Sequence, residues 1–189
     1  MNTKKIITLA CSALMFGSLG LGITATSSAD TMPVSETQPQ VKGWEPALVD
    51  PTFNDLSNWN GAQALGQKVE KQGSTIRVTA INSQMSLGQK GSMIADHDYK
   101  YSIVYQLNPS KTPVAVHLGQ YKLVGDIYGF DGIPGTYVEL IADGNWHELT
   151  GEFNFDEPDE LGIVKNKGIL VLGTNEIKLA QVSMSVKLP

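Results

Sequence analysis

The chain has 189 residues, with 14 basic and 19 acidic side chains, a formal charge of −5 and one cysteine. Its single arginine is Arg77 and its lysines form no cluster, so the electrostatic footprint that a phosphate backbone or an anionic membrane surface requires is missing. Nucleic acid is therefore not expected as a partner, and a neutral ligand is.

Lys4 and Lys5, the mostly apolar run Ile6 to Ile23 and the small residues Thr26-Ser27-Ser28-Ala29 read as a secretory signal peptide over residues 1–29. Serines and glycines dilute the run, so no membrane insertion is expected. Cleavage after Ala29 removes Lys4, Lys5 and Cys11 but no acid, which moves the charge from −5 to −7 and leaves a chain without thiols or disulfides. A secreted, extracellular bacterial protein is the expectation. Residues 30–46 carry Pro33, Pro39 and Pro46 among Ser, Thr and Gln, the composition of a solvated linker. Trp44, near its end, is expected to cap the edge of the adjoining domain. Residues 47–189 suffice for one domain with a sizeable core.

Within that domain no helical period is sustained, and short alternating runs between turn signals predict an all-β fold. Thr75 to Ile81 alternates, with Ile76, Val78 and Ala80 on one face, and Met85 and Leu87 belong to the next strand. Tyr99, Tyr101, Ile103, Tyr105 and Leu107 share one parity and predict the clearest core strand. Asn108-Pro109-Ser110 ends it. Val114, Val116 and Leu118 then face the core while Ala115 and His117 face away. Tyr121 to Val124 and Tyr137 to Ile141 are read as further strands, separated by a glycine-rich loop from Gly125 to Gly135. Asp143-Gly144 starts a turn into a long half-buried strand ending at Phe155, with Trp146, Glu148, Thr150, Glu152 and Asn154 on its wet face. Ile169 to Leu172 and Ile177 to Val186 are expected to close the chain as a hairpin around Gly173-Thr174-Asn175.

Catalytic patterns are not found. Asp156, Glu157, Asp159 and Glu160 crowd around Pro158 as a solvated loop, without the ligand spacing of a calcium loop or the opposed pair of a glycosidase. His97, His117 and His147 stand singly, with no zinc-binding pair, and no Gly-x-Ser-x-Gly elbow occurs. Sugar binding asks instead for an aromatic face with amides, carboxylates or hydroxyls beside it. Tyr121, Tyr128 and Phe130, with Asp126 and Asp131, cluster around the glycine-rich segment, and His117, Gln106 and Gln120 lie on neighbouring strands or their ends. These eight residues are the candidate ligand site.

Several pieces in order resemble a secreted carbohydrate-binding module of the galactose-binding-like jelly-roll type. They are Phe53-Asn54-Asp55-Leu56-Ser57-Asn58-Trp59, Met85 to Gln89 with Asp98 to Ile103, the tryptophan strand Asn145 to Phe153, and the last strand Ile177 to Val186. The resemblance spans residues 50 to 188. It implies an antiparallel β-sandwich (jelly roll), a ligand held on or beside the concave sheet, and Trp59 and Trp146 as core packing. The last strand of such modules often carries an acidic pair tied to a structural calcium ion; Lys178-Leu179-Ala180-Gln181-Val182 lacks it, so no cofactor is expected and structural calcium is not favoured. A non-catalytic module recognising a carbohydrate or cell-wall polymer is the expectation. The competing expectation is a protein–protein interaction domain of a bacterial surface, toxin-like or immunity factor.

Overall fold

The long strand expected after Asp143-Gly144 is present, and a sheet is built beside it. The computed structural model of the protein describes residues 43–61, 67–124, 127–156 and 163–189. In chain order its strands are β1 (Trp44–Pro46), β2 (Asn60–Gly61), β3 (Lys68–Gln72), β4 (Thr75–Thr79), β5 (Gln84–Lys90), β6 (His97–Gln106) and β7 (Val114–Val124). Next come β8 (Ile127–Gly132), β9 (Val138–Leu140), β10 (Trp146–Phe155), β11 (Ile163–Leu172) and β12 (Glu176–Lys187). Sheet A runs β10-β6-β12-β4-β3, with β1 also on β12. Sheet B runs β2-β5-β11-β7-β8, with β9 also on β7, and every pairing is antiparallel.

The predicted alternation decides which side of each strand meets the core. Tyr99, Tyr101, Ile103 and Tyr105 of β6 and Leu179, Val182 and Met184 of β12 face Met85 and Leu87 of β5, Val116 and Leu118 of β7 and Ile169 and Val171 of β11 between the sheets. β10 pairs with β6 without a break from Trp146 opposite Gln106 to Phe155 opposite His97. Gly151 stands on its inner face because the Tyr101 ring needs that space: a methyl there would lie 2.6 Å from the phenol oxygen. Phe153 stacks on Tyr99, with ring centroids 5.3 Å apart.

Three expectations are corrected. The closing strands do not form a hairpin: β11 lies in sheet B and β12 in sheet A, so Gly173, at φ +87°, turns the chain across the sandwich rather than along one sheet. The segment read as a glycine-rich loop contains β8, which folds back on β7 as a hairpin, and Tyr121 to Val124 simply continue β7. Trp146 is half-buried on the outer face of sheet A, whereas Trp59 is core, its indole N–H donating to the Asp50 carbonyl at 3.0 Å. Ser102 and Val104, on the outer side of β6, are fully covered, and the Ser102 hydroxyl donates to Glu148 at 2.7 Å.

Trp44 does sit at an edge, opposite Lys187, with the Lys100 ammonium 4.8 Å from its ring centroid. The chain after it straps the two sheets together. Ala47 and Leu48 donate to Met184 of sheet A, Val182 donates to Pro51, and the Gln89 amide of sheet B clasps the Val49 backbone. Within the strap Phe53 has φ +59°, and its carbonyl accepts a bond from the Lys71 ammonium. Lys71→Met is expected to lower stability by about 1 kcal/mol, an exposed charge-assisted bond being weaker than a buried one. Thermal denaturation checks it, and an unchanged midpoint would show the ammonium to be idle.

At the opposite end of the fold the Asp143 carboxylate is held down to about 2 by a bond from His147 and by the Asn145 backbone and side chain. Its folded value lies below the roughly 3.9 of an unfolded aspartate, so its contribution is full above about pH 4 and is lost as pH falls through about 2. Solvent screening holds that contribution to about 0.5 kcal/mol or less. In Asp143→Asn the slope of melting temperature against pH in this window should flatten.

Candidate functional site

Sheet B carries, on its outer face, a row of glycines in register across four adjacent strands: Gly132 of β8 opposite Gly119 of β7, Gly119 opposite Gly168 of β11, and Gly168 opposite Gly88 of β5. With neighbouring strands about 4.8 Å apart, the row forms a low trough about 14 Å long across the strands, paved by neighbouring rings, since Gly88, Gly119 and Gly168 are themselves buried. On one side the register aligns Phe130, Tyr121, Asn166 and Lys90. On the other it aligns His117, Leu170 and Ser86.

The rings lean over this floor. Phe130 and Tyr121 have centroids 4.9 Å apart with planes at 55°, and His117 meets Phe130 edge-on at 5.7 Å. Tyr137, 59 % exposed, extends the series beyond His117 at 5.8 Å. A methyl on Gly119 would fall 2.6 Å from the tip of the Phe130 ring, and one on Gly132 would fall 1.9 Å from His117 Cε1. Bare backbone is what lets these rings lie low. Tyr121 crosses β11, its hydroxyl donating to the Ile169 carbonyl at 2.8 Å, and burial pushes its phenol well above the ordinary range. Its position is thereby fixed without a ligand.

Of the eight predicted site residues, the structure brings His117, Tyr121 and Phe130 together. The backbone register puts position 128 on the same face, opposite Leu123, while the Tyr128 side chain lies outside what is described. Asp126 also lies outside the described residues. Three are placed elsewhere. Gln106 is on β6, in the other sheet, and its amide donates to the Gly144 carbonyl at 2.8 Å. Gln120 points inward and is 1 % exposed; its carbonyl oxygen accepts the Met93 N–H at 2.9 Å. Asp131 lies opposite Gln120 on that same side of the ladder and pairs with the Lys122 ammonium. All three departures follow from strand parity and sheet membership, because one step along a strand reverses the face.

Asn166, Lys90, Tyr137 and the glycine row were not anticipated. The signal for the row is readable, since a glycine inside a strand pattern marks a place where a ligand or another backbone comes close. Gly88, Gly119 and Gly168 each stand inside a strand in that way. Among the described residues no group of three or more His, Cys, Asp or Glu side chains is placed to hold a metal ion.

Neither a family model nor a curated protein matches the sequence. Solved structures do match in fold. The C-terminal family 22 carbohydrate-binding module of Clostridium thermocellum Xyn10B aligns with a TM-score of 0.54 at 12 % identity, over 79 % of this chain and 97 % of that one. The chain has the jelly-roll fold of these modules. The xylan-binding family 22 module of Paenibacillus barcinonensis Xyn10C aligns with a TM-score of 0.50 at 13 % identity, over 74 % and 93 %. A larger structure, the family 22 module and catalytic module of the Clostridium thermocellum xylanase with xylohexaose, aligns at 0.53 and 14 %, but the jelly roll spans only 28 % of its length. At such identities the likeness is one of architecture, and the trough rests on this chain's own residues.

Proposed function

We propose that the protein is an exported, non-catalytic module that binds a polysaccharide along the trough of sheet B. The observation that carries this reading is the transverse glycine row, flanked by Phe130, Tyr121, Asn166 and Lys90 on one side and His117, Leu170 and Ser86 on the other. A sugar chain offers flat C–H faces ringed by hydroxyls, and a row mixing aromatic faces with an amide, an imidazole and the exposed Lys90 ammonium meets both. The rings are tilted by 55° to 83° to one another, so they suit a single flexible chain rather than the flat surface of a crystalline polymer. None of the residues in these rows is a carboxylate, which supports binding without the opposed acids that glycoside hydrolysis needs. The signal-like residues 1–29 support export.

The test is retention of residues 30–189 by soluble xylan, glucan and mannan in affinity gels, and by insoluble polysaccharides and cell walls in pull-downs. Stronger retention by soluble chains than by crystalline ones is expected. A folded protein retained by none of them would overturn the glycan reading and turn the search to a protein partner.

A further inference from the structure

His117 is placed to do more than fill space. Its Nε2 lies 3.1 Å from the Ile133 carbonyl oxygen. That oxygen is fixed, because Ile133 donates to Leu118, and the Thr136 N–H at 3.1 Å and hydroxyl at 2.8 Å both donate to the Ile133 carbonyl. A carbonyl only accepts, so the proton of the neutral imidazole resides on Nε2 and Nδ1 carries a lone pair. Nδ1 has no hydrogen-bond partner among the described residues. The ring lies against Gly132 at the end of the glycine row, where a methyl would meet Cε1 at 1.9 Å and each ring nitrogen at 2.5 Å.

Building on the glycan reading, we propose that His117 Nδ1 accepts a hydrogen bond from a ligand hydroxyl and that Gly132 is its positioning residue. The sugar unit at the β7–β8 end of the trough must then present a free hydroxyl donor. A chain methylated or acetylated at that oxygen has no proton to give and is rejected, so His117 reads substitution of the polymer.

The test has a ligand-free arm and a binding arm, both on residues 30–189. Long-range proton–nitrogen NMR in alkaline buffer, where imidazole is neutral, is expected to show His117 protonated at Nε2 and bare at Nδ1; the opposite tautomer overturns the proposal. Calorimetry then uses xylohexaose, cellohexaose and mannohexaose as probes. For a probe bound by the wild type, His117→Phe keeps the ring but removes the acceptor and is expected to weaken binding about tenfold. His117→Asn, which retains an acceptor oxygen on a short side chain, should recover part of that loss. Gly132→Ala should weaken binding and move the His117 nitrogen signals together, with cooperative melting showing that each variant is folded. His117→Phe binding with wild-type affinity overturns the inference while leaving the glycan reading intact. Wild-type protein that binds none of the three probes defeats the glycan reading for these ligands first, and the proposed hydroxyl contact with it.

Discussion

Gly168→Ala is expected to destabilise the sandwich by about 3–5 kcal/mol, at the upper end for a single substitution. The added methyl would lie 2.1 Å from the Leu87 carbonyl oxygen and 2.6 Å from the Gly88 Cα. Both are backbone atoms of β5, so no side-chain rotation can relieve the overlap. β11 and β5 would have to part, along a ladder that runs from Asn166 to Leu172. Gly129→Ala in β8 is the matched control, because nothing lies within 4 Å of the methyl it would add. Urea denaturation should show a large drop in midpoint with little change in slope for the first and almost no drop for the second. Equal midpoints would mean that the two strands do not approach so closely.

Phe130→Ala is expected to weaken polysaccharide binding about thirtyfold while leaving the melting temperature within a few degrees of wild type. Phe130 is half-buried, sits on the outer face of a hairpin arm and touches Tyr121 and His117, so its ring serves the trough more than the core. An aromatic anchor in an interface is commonly worth about 2 kcal/mol, which corresponds to that fold-change. Adding Tyr121→Ala should take the loss to about a thousandfold, with a stability cost as well, since Tyr121 also bonds the Ile169 backbone. Affinity electrophoresis across a polysaccharide concentration series measures both. A double variant that is retained like the wild type would remove the sheet B face from consideration.

The sequence was most legible where one physical signal sufficed. The parity of Tyr99 to Leu107 and of Val114 to Leu118 identified core faces correctly, and the turn at Asp143-Gly144 located the start of β10. Turn signals were less informative about where a reversed chain goes. Gly173-Thr174-Asn175 reads identically whether it closes a hairpin or carries the chain across the sandwich, and only the partners of β11 and β12 decide. The same ambiguity put Gln106 beside Tyr121, although β6 and β7 belong to different sheets. His117, Tyr121 and Phe130 were recoverable because they are aromatic or imidazole side chains on outward parity. Asn166 and Lys90 were not, because a site assembled from register across four strands leaves no spacing within any one of them.

β12 contacts β1, β4 and β6, so sheet A has as its central member the last strand of the sequence. Until residues 176–187 are available, β6 and β10 can pair with each other and β3 with β4, but the two pairs have nothing to join them. Completion of sheet A therefore waits for β12, whose pairings with β4 and β6 close long loops, a slow step in folding. A nascent chain can already assemble the ladders of sheet B, which do not include β12, while sheet A stays in two halves, so the core between the sheets closes last.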